Sequence, residues 1–195
     1  MYTNAITAFA LLSSLTSAMP TANNNTPRQA KACFVIGNTA LPAEVTTAVA
    51  AIQDKVTCST TAKTIDNVPD VTSGTQTFSK IDFSKSKQQP LEFALAQFKT
   101  ATPLAKTDLA TFQDALNVYT ATEAGLRSVA GPIQGVKVPK FFLAMQISRI
   151  QTAQGNPPKA AGQQVDHLRD KVLKNAAGES KAFLDQVTKL ATETT

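Results

Sequence analysis

The chain has 195 residues, 43% of them hydrophobic, and 19 Lys+Arg against 14 Asp+Glu give it a formal charge of +5. That length points to one domain, the apolar share is too high for wholesale disorder, and Pro and Gly are too few for a fibrous chain. Two Cys exclude a dense disulfide scaffold and a single His excludes multi-histidine metal sites, so a hydrophobic core must do most of the stabilising.

Residues 1–18 (MYTNAITAFALLSSLTSA) carry no charged side chain, and the apolar stretch from Ala5 to Leu15 has the length of a signal-peptide core. Thr16-Ser17-Ala18 supplies the small residues read at a cleavage site, so export is expected. No later stretch is apolar enough to span a bilayer, and Ala191 to Thr195 is not the apolar tail of a lipid anchor. A secreted, extracellular protein without a transmembrane segment follows. Residues 19–32 are polar and aperiodic and read as a flexible arm, with a glycosylation sequon at Asn24 (Asn24-Asn25-Thr26, then Pro27). In an oxidising compartment Cys33 and Cys58 most simply form one disulfide. Residues 33–195 remain as a single domain.

From Ala40 the pattern turns helical. Leu41, Val45, Ala48, Val49, Ile52 and Val56 share one face, and Pro42 suits a first turn. Cys58 is expected at the end of this helix. Residues 59–89 are rich in Thr, Ser, Asp and Lys and read as a long loop clipped to the core by Phe78, Ile81 and Phe83. Pro90 opens a helix with the stripe Leu91, Ala94, Leu95 and Phe98. Leu109, Phe112, Leu116, Tyr119 and Leu126 then fall on a three-four seam in which Glu123 is the one polar member. Pro139 opens another helix, apolar all round its axis, stopped by Gly155-Asn156-Pro157-Pro158. Val165 to Leu190 forms the last segment, split or bent at Gly178. No convincing period-two run stands out, so the expected fold is all-α: a bundle of five or six helices with one disulfide near the N-terminus.

Chemistry-bearing constellations are few. Asp166, His167 and Asp170 lie within one helical turn beside Arg169 and Lys171, which reads as a solvated charged face, and neither metal nor cofactor is expected. Nucleophile elbows and Gly-rich phosphate loops are absent from the sequence. With no Trp and Tyr119 as the one Tyr after the signal segment, an aromatic-walled carbohydrate cleft is not expected. The charge distribution says more. No carboxylate occurs between Glu123 and Asp166, while Arg127, Lys137, Lys140, Arg149 and Lys159 lie inside. One reading is a basic surface, centred on Lys137, Lys140 and Arg149, that meets an anionic lipid, membrane or acidic partner. The other is a buried central helix with basic residues snorkelling to water. Nucleic acid is disfavoured because the basic residues are spread out with few aromatic groups among them.

The stretch Cys33 to Val45 (CFVIGNTALPAEV), followed by IQDKVTC up to Cys58, resembles the start of uncharacterised small secreted proteins of filamentous ascomycete fungi. That resemblance implies an extracellular, non-enzymatic, effector-like protein. A second similarity, of architecture, is to the fungal hydrophobic-surface-binding and cell-wall galactomannoprotein group, secreted helical bundles that hold lipids or coat apolar surfaces. No motif of that group is matched residue by residue, and no functional position carries over.

The function expected from sequence is binding at a cell or host surface, without catalysis, to an extracellular protein, lipid or surface. An alternative is an extracellular carrier of lipid or apolar ligands, with Phe98, Phe112, Phe141, Phe142 and Met145 enclosing a cavity. A secreted hydrolase is the third reading.

Overall fold

A computed structural model describes residues 31–194. The signal segment, most of the N-terminal arm and the Asn24 sequon lie outside the described residues. Among those described, the order is α1 (Ala43–Ile52), β1 (Thr57–Lys63), β2 (Pro69–Ser73), β3 (Gln76–Thr77), α2 (Pro90–Gln97), α3 (Leu109–Ser128), α4 (Gln134–Ala153), α5 (Val165–Asn175) and α6 (Lys181–Thr192). No helix among the described residues is long and apolar enough to cross a membrane.

The all-α expectation is wrong. Much of the presumed loop at 59–89 is a three-stranded antiparallel sheet in the order β1-β2-β3, so the fold is mixed. Its strands hide from a period-two search for a physical reason. β1 is a mostly exposed edge made of Thr, Ser, Ala and Lys around Cys58, with no apolar face to alternate. β2 is buried on nearly every residue, and its buried polar members are hydrogen-bonded. The Asp70 carboxylate accepts from the Ser79 amide (3.0 Å), and Ser73 donates to Asp114 Oδ1 on α3 (3.0 Å). Phe78 and Ile81, which follow the sheet, are buried in the core as the sequence suggests.

The sheet packs on α3, and the chain before α1 crosses the end of the same helix. The Gly37 amide donates to Ser128 Oγ (2.9 Å) and the Thr39 amide to the Ser128 carbonyl (2.9 Å). Gly125 permits this closeness: a Cβ there would sit 2.7 Å from the Phe34 carbonyl oxygen and 2.7 Å from a Val68 methyl. Cys33 and Cys58 are disulfide-bonded, with Cα atoms 6.0 Å apart. Cys58 is not at a helix end, because α1 stops at Ile52. It is the second residue of β1, opposite Val71, so the bond ties the lead-in to the edge strand.

α3 and α4 are the longest helices and form the centre, with Val118, Tyr119, Ala124, Leu126, Leu143, Met145 and Ile150 fully buried. Tyr119 sits between Phe78 and Phe98, edge to face with each at 5.2 and 6.0 Å, and donates to the Ile81 carbonyl (2.6 Å). α4 begins at Gln134, a full turn before the Pro139 start read from sequence. Proline inside a helix collides with the fourth residue back, and here that residue is Gly135. The Phe83 ring lies where a Gly135 Cβ would be, 2.6 Å from that point. The early turn is thus held from outside.

Candidate functional site

The antiparallel run of α3 and α4 places helical faces of three elements around one cleft. α3 contributes Glu123 and Arg127 at i, i+4. α4 contributes Lys137, Lys140 and Phe141 at i, i+3, i+4. α5 repeats that spacing with Lys171, Lys174 and Asn175, and Glu44 and Val45 of α1 complete the wall of a cavity of about 580 Å³.

Glu123 is its buried anchor, with only 3% of its surface exposed. One carboxylate oxygen accepts from Arg127 Nε and Nη2, both at 2.8 Å, and the other takes the Lys140 ammonium. Lys140 also stands 4.6 Å above the centre of the Phe141 ring, a cation–π placement. Lys137, Lys171 and Lys174 have no carboxylate within 4.0 Å among the described residues. Five cations against two carboxylates leave three positive charges uncompensated in the cleft.

Local sequence accounts for part of this arrangement. Arg127 in the last turn of α3, and Lys174 in the last turn of α5, sit where the helix dipole favours cations. Lys137 does not. It lies in the first turn of α4, at the positive end, half-buried and next to Lys140. Both the dipole of its own helix and the neighbouring cations therefore oppose the charge on Lys137.

The structure separates the third member of the basic surface read from sequence. Arg149 is 2% exposed and lies outside the cleft, where burial lowers its pKa. Its guanidinium donates to the Gln146 side-chain oxygen and, at 3.1 and 2.7 Å, to the Glu193 carbonyl, fastening the end of α6. Lys159 is exposed elsewhere. Sequence reading missed Lys171 and Lys174, since their register relative to α4 is set only by the packing of α5. Their three-residue spacing was the available signal.

The aromatic set is dispersed. Phe98, Phe112, Phe142 and Met145 are buried, and Phe98 packs edge to face against Phe93 at 6.2 Å as well as against Tyr119. Phe98 and Phe142 border one surface cleft of about 260 Å³, Phe98 and Phe112 another of about 190 Å³, and Phe141 belongs to the basic cleft. Asp166 and Asp170 bind Arg169 at 2.8 and 2.9 Å, and His167 is exposed beside them. Among the described residues no group of three His, Cys, Asp or Glu side chains is placed to hold a metal ion.

Residues 35–195 match a family model described as a domain of unknown function, DUF7143. Neither a curated protein nor a solved structure matches the chain.

Proposed function

The chain belongs to the DUF7143 family, and within it we propose that this protein is an exported, non-catalytic binding protein whose basic cleft takes a doubly charged oxyanion, a phosphoryl or sulfuryl group, presented at a cell or host surface. Export is supported by the signal-like residues 1–18 and by a disulfide between Cys33 and Cys58. The observation that carries the binding reading is the half-buried Lys137, set at the positive end of α4 beside Lys140 with no carboxylate in reach among the described residues.

Glu123 already occupies Arg127 and one face of Lys140, so an incoming anion meets chiefly Lys137, Lys171 and Lys174. Val45 and Phe141 offer apolar contact to whatever carries the anion. At about 580 Å³ the cleft is in the range of small-molecule sites and holds more than a bare phosphate.

Titration with inorganic phosphate, and sedimentation with phosphatidylcholine vesicles containing or lacking phosphatidate, tests the reading and separates a free ligand from a lipid head group. Binding in at least one arm is expected, weakening as salt rises, and lost in Lys137→Glu/Lys171→Glu. No binding in either arm at low salt, or binding indifferent to that double substitution, rejects it.

A further inference from the structure

A second cleft opens between α3 and α4, and it shares no lining residue with the basic one. Asn117 borders it, six residues before Glu123, so it lies about 9 Å farther along α3 at ~1.5 Å per residue. Its volume is about 280 Å³, and its lining carries no charged side chain. Leu116, Ile147 and Leu168 supply apolar wall, while Gln113, Asn117, Gln151 and Gln163 bring carboxamides to its rim.

Ser148 is one of the residues lining this cleft, and its hydroxyl is unusual. The residue is 1% exposed, and its Oγ has no hydrogen-bond partner in the protein. Helical hydroxyls ordinarily settle on the carbonyl four residues back. Thr122 does so onto Val118 (2.9 Å) and Thr152 onto Ser148 itself (2.8 Å), yet Ser148 does not. A buried polar group lacking a partner is rare in folded proteins and calls for an explanation.

We infer that this cleft binds a small, uncharged, mainly apolar molecule bearing one hydroxyl or carbonyl group, which pairs with Ser148 Oγ. A charged ligand would lose its hydration with no counter-charge in the lining. The volume falls at the lower edge of small-molecule sites, which selects a compact ring system over a long acyl chain.

The probes are 2-naphthol and 2-methylnaphthalene, near-isosteres that differ in the hydroxyl, titrated at pH 7 by fluorescence and calorimetry. Saturable binding is expected, with 2-naphthol tighter by about three- to tenfold, the worth of one hydrogen bond. Ser148→Ala should bring 2-naphthol to the level of 2-methylnaphthalene and leave the latter unchanged, and Ala144→Phe should abolish both by filling the space. Because Ala144→Phe can disturb folding, amide chemical-shift mapping on the unsubstituted protein provides an independent check. Shifts must centre on Leu116, Ile147, Ser148 and Leu168. Absence of saturable binding, shifts centred elsewhere, or a preference for 2-naphthol that survives Ser148→Ala overturns the assignment.

Discussion

Lys140 of α4 crosses to the buried carboxylate of Glu123 on α3, so charge closes one end of the interface between the two longest helices. The same carboxylate holds Arg127, and both cations keep about a fifth of their side-chain surface in contact with water. Removing Glu123 strands two partly buried cations, whereas their residual exposure softens the loss. Glu123→Gln is expected to lower stability by about 1–3 kcal/mol, below the range for fully buried pairs. It should also tighten phosphate binding, because the cleft loses its internal anion. Urea denaturation alongside phosphate titration measures both, and an unchanged midpoint would show that the pair contributes nothing.

Lys137 is expected to behave in the opposite sense. It makes no ion pair among the described residues and stands near Lys140, so Lys137→Met relieves repulsion and leaves stability within about 0.5 kcal/mol. Anion affinity should fall about five- to tenfold, the value of one charge about 4 Å away in a cleft open enough for water to screen it nearly as in bulk. A Lys137→Met protein that binds phosphate or phosphatidate vesicles as well as the parent contradicts the assignment of this side chain to recognition.

Gly125 offers a stability test independent of the cleft. A methyl group there has to displace the Phe34 carbonyl and the Val68 side chain, each 2.7 Å from its position. Backbone does not yield as a flexible side chain does, so the gain in helix propensity is outweighed. Gly125→Ala should destabilise by about 1–3 kcal/mol, the usual cost of overpacking. A variant as stable as the parent would mean that the lead-in segment is not seated against α3.

The helices after residue 90 were legible from their apolar spacing and their breakers: the seam Leu109, Phe112, Leu116, Tyr119 matches α3, and Gly178 falls in the break between α5 and α6. The sheet was not legible, since hydrophobic alternation reports burial on one face only. β1 buries neither face fully, and β2 buries Asp70 and Ser73 along with Val71. The start of α4 was misplaced because the turn before Pro139 packs through Gly135 on the Phe83 ring, a contact between residues 52 positions apart. Half of the basic cleft could be read from the carboxylate-free stretch around Lys137 and Lys140. The rest required knowing which face of α5 meets α4, and Arg149 left the set for the same reason.

The disulfide closes a loop with a sequence separation of 25 residues that contains α1 and the start of β1. In the loop-entropy view such a closure contributes about 3–4 kcal/mol by restricting the unfolded chain. Cys33→Ser/Cys58→Ser is therefore expected to lower the urea midpoint with little change in the helical circular-dichroism signal. The decisive comparison is with the parent protein under reducing conditions, which should match the double variant. A midpoint unaffected by either treatment would place the stabilisation elsewhere.

Glu179, between α5 and α6, docks its carboxylate on the start of α2, accepting from the Leu91 amide at 2.8 and 3.0 Å and from the Glu92 amide at 3.3 Å. Burial raises its pKa above the ordinary glutamate value of 4.5, outweighing the two backbone donors that lower it, with the nearby Glu92 charge adding to the rise. Just above pH 4.5 the folded protein therefore holds this proton more often than the unfolded chain does. Where the folded state binds the extra proton, stability falls as pH increases. The contribution from Glu179 is complete below pH 4.5, is lost as pH rises through the elevated pKa, and is flat beyond it. Glu179→Gln keeps an acceptor for the Leu91 amide but cannot titrate, so its stability should decline less than the parent's across that interval. Urea midpoints of the two proteins measured from pH 4 to 8 decide the matter. Parallel profiles would show that the donors at α2 cancel burial, and a parent that gains stability relative to Glu179→Gln as pH rises that they outweigh it.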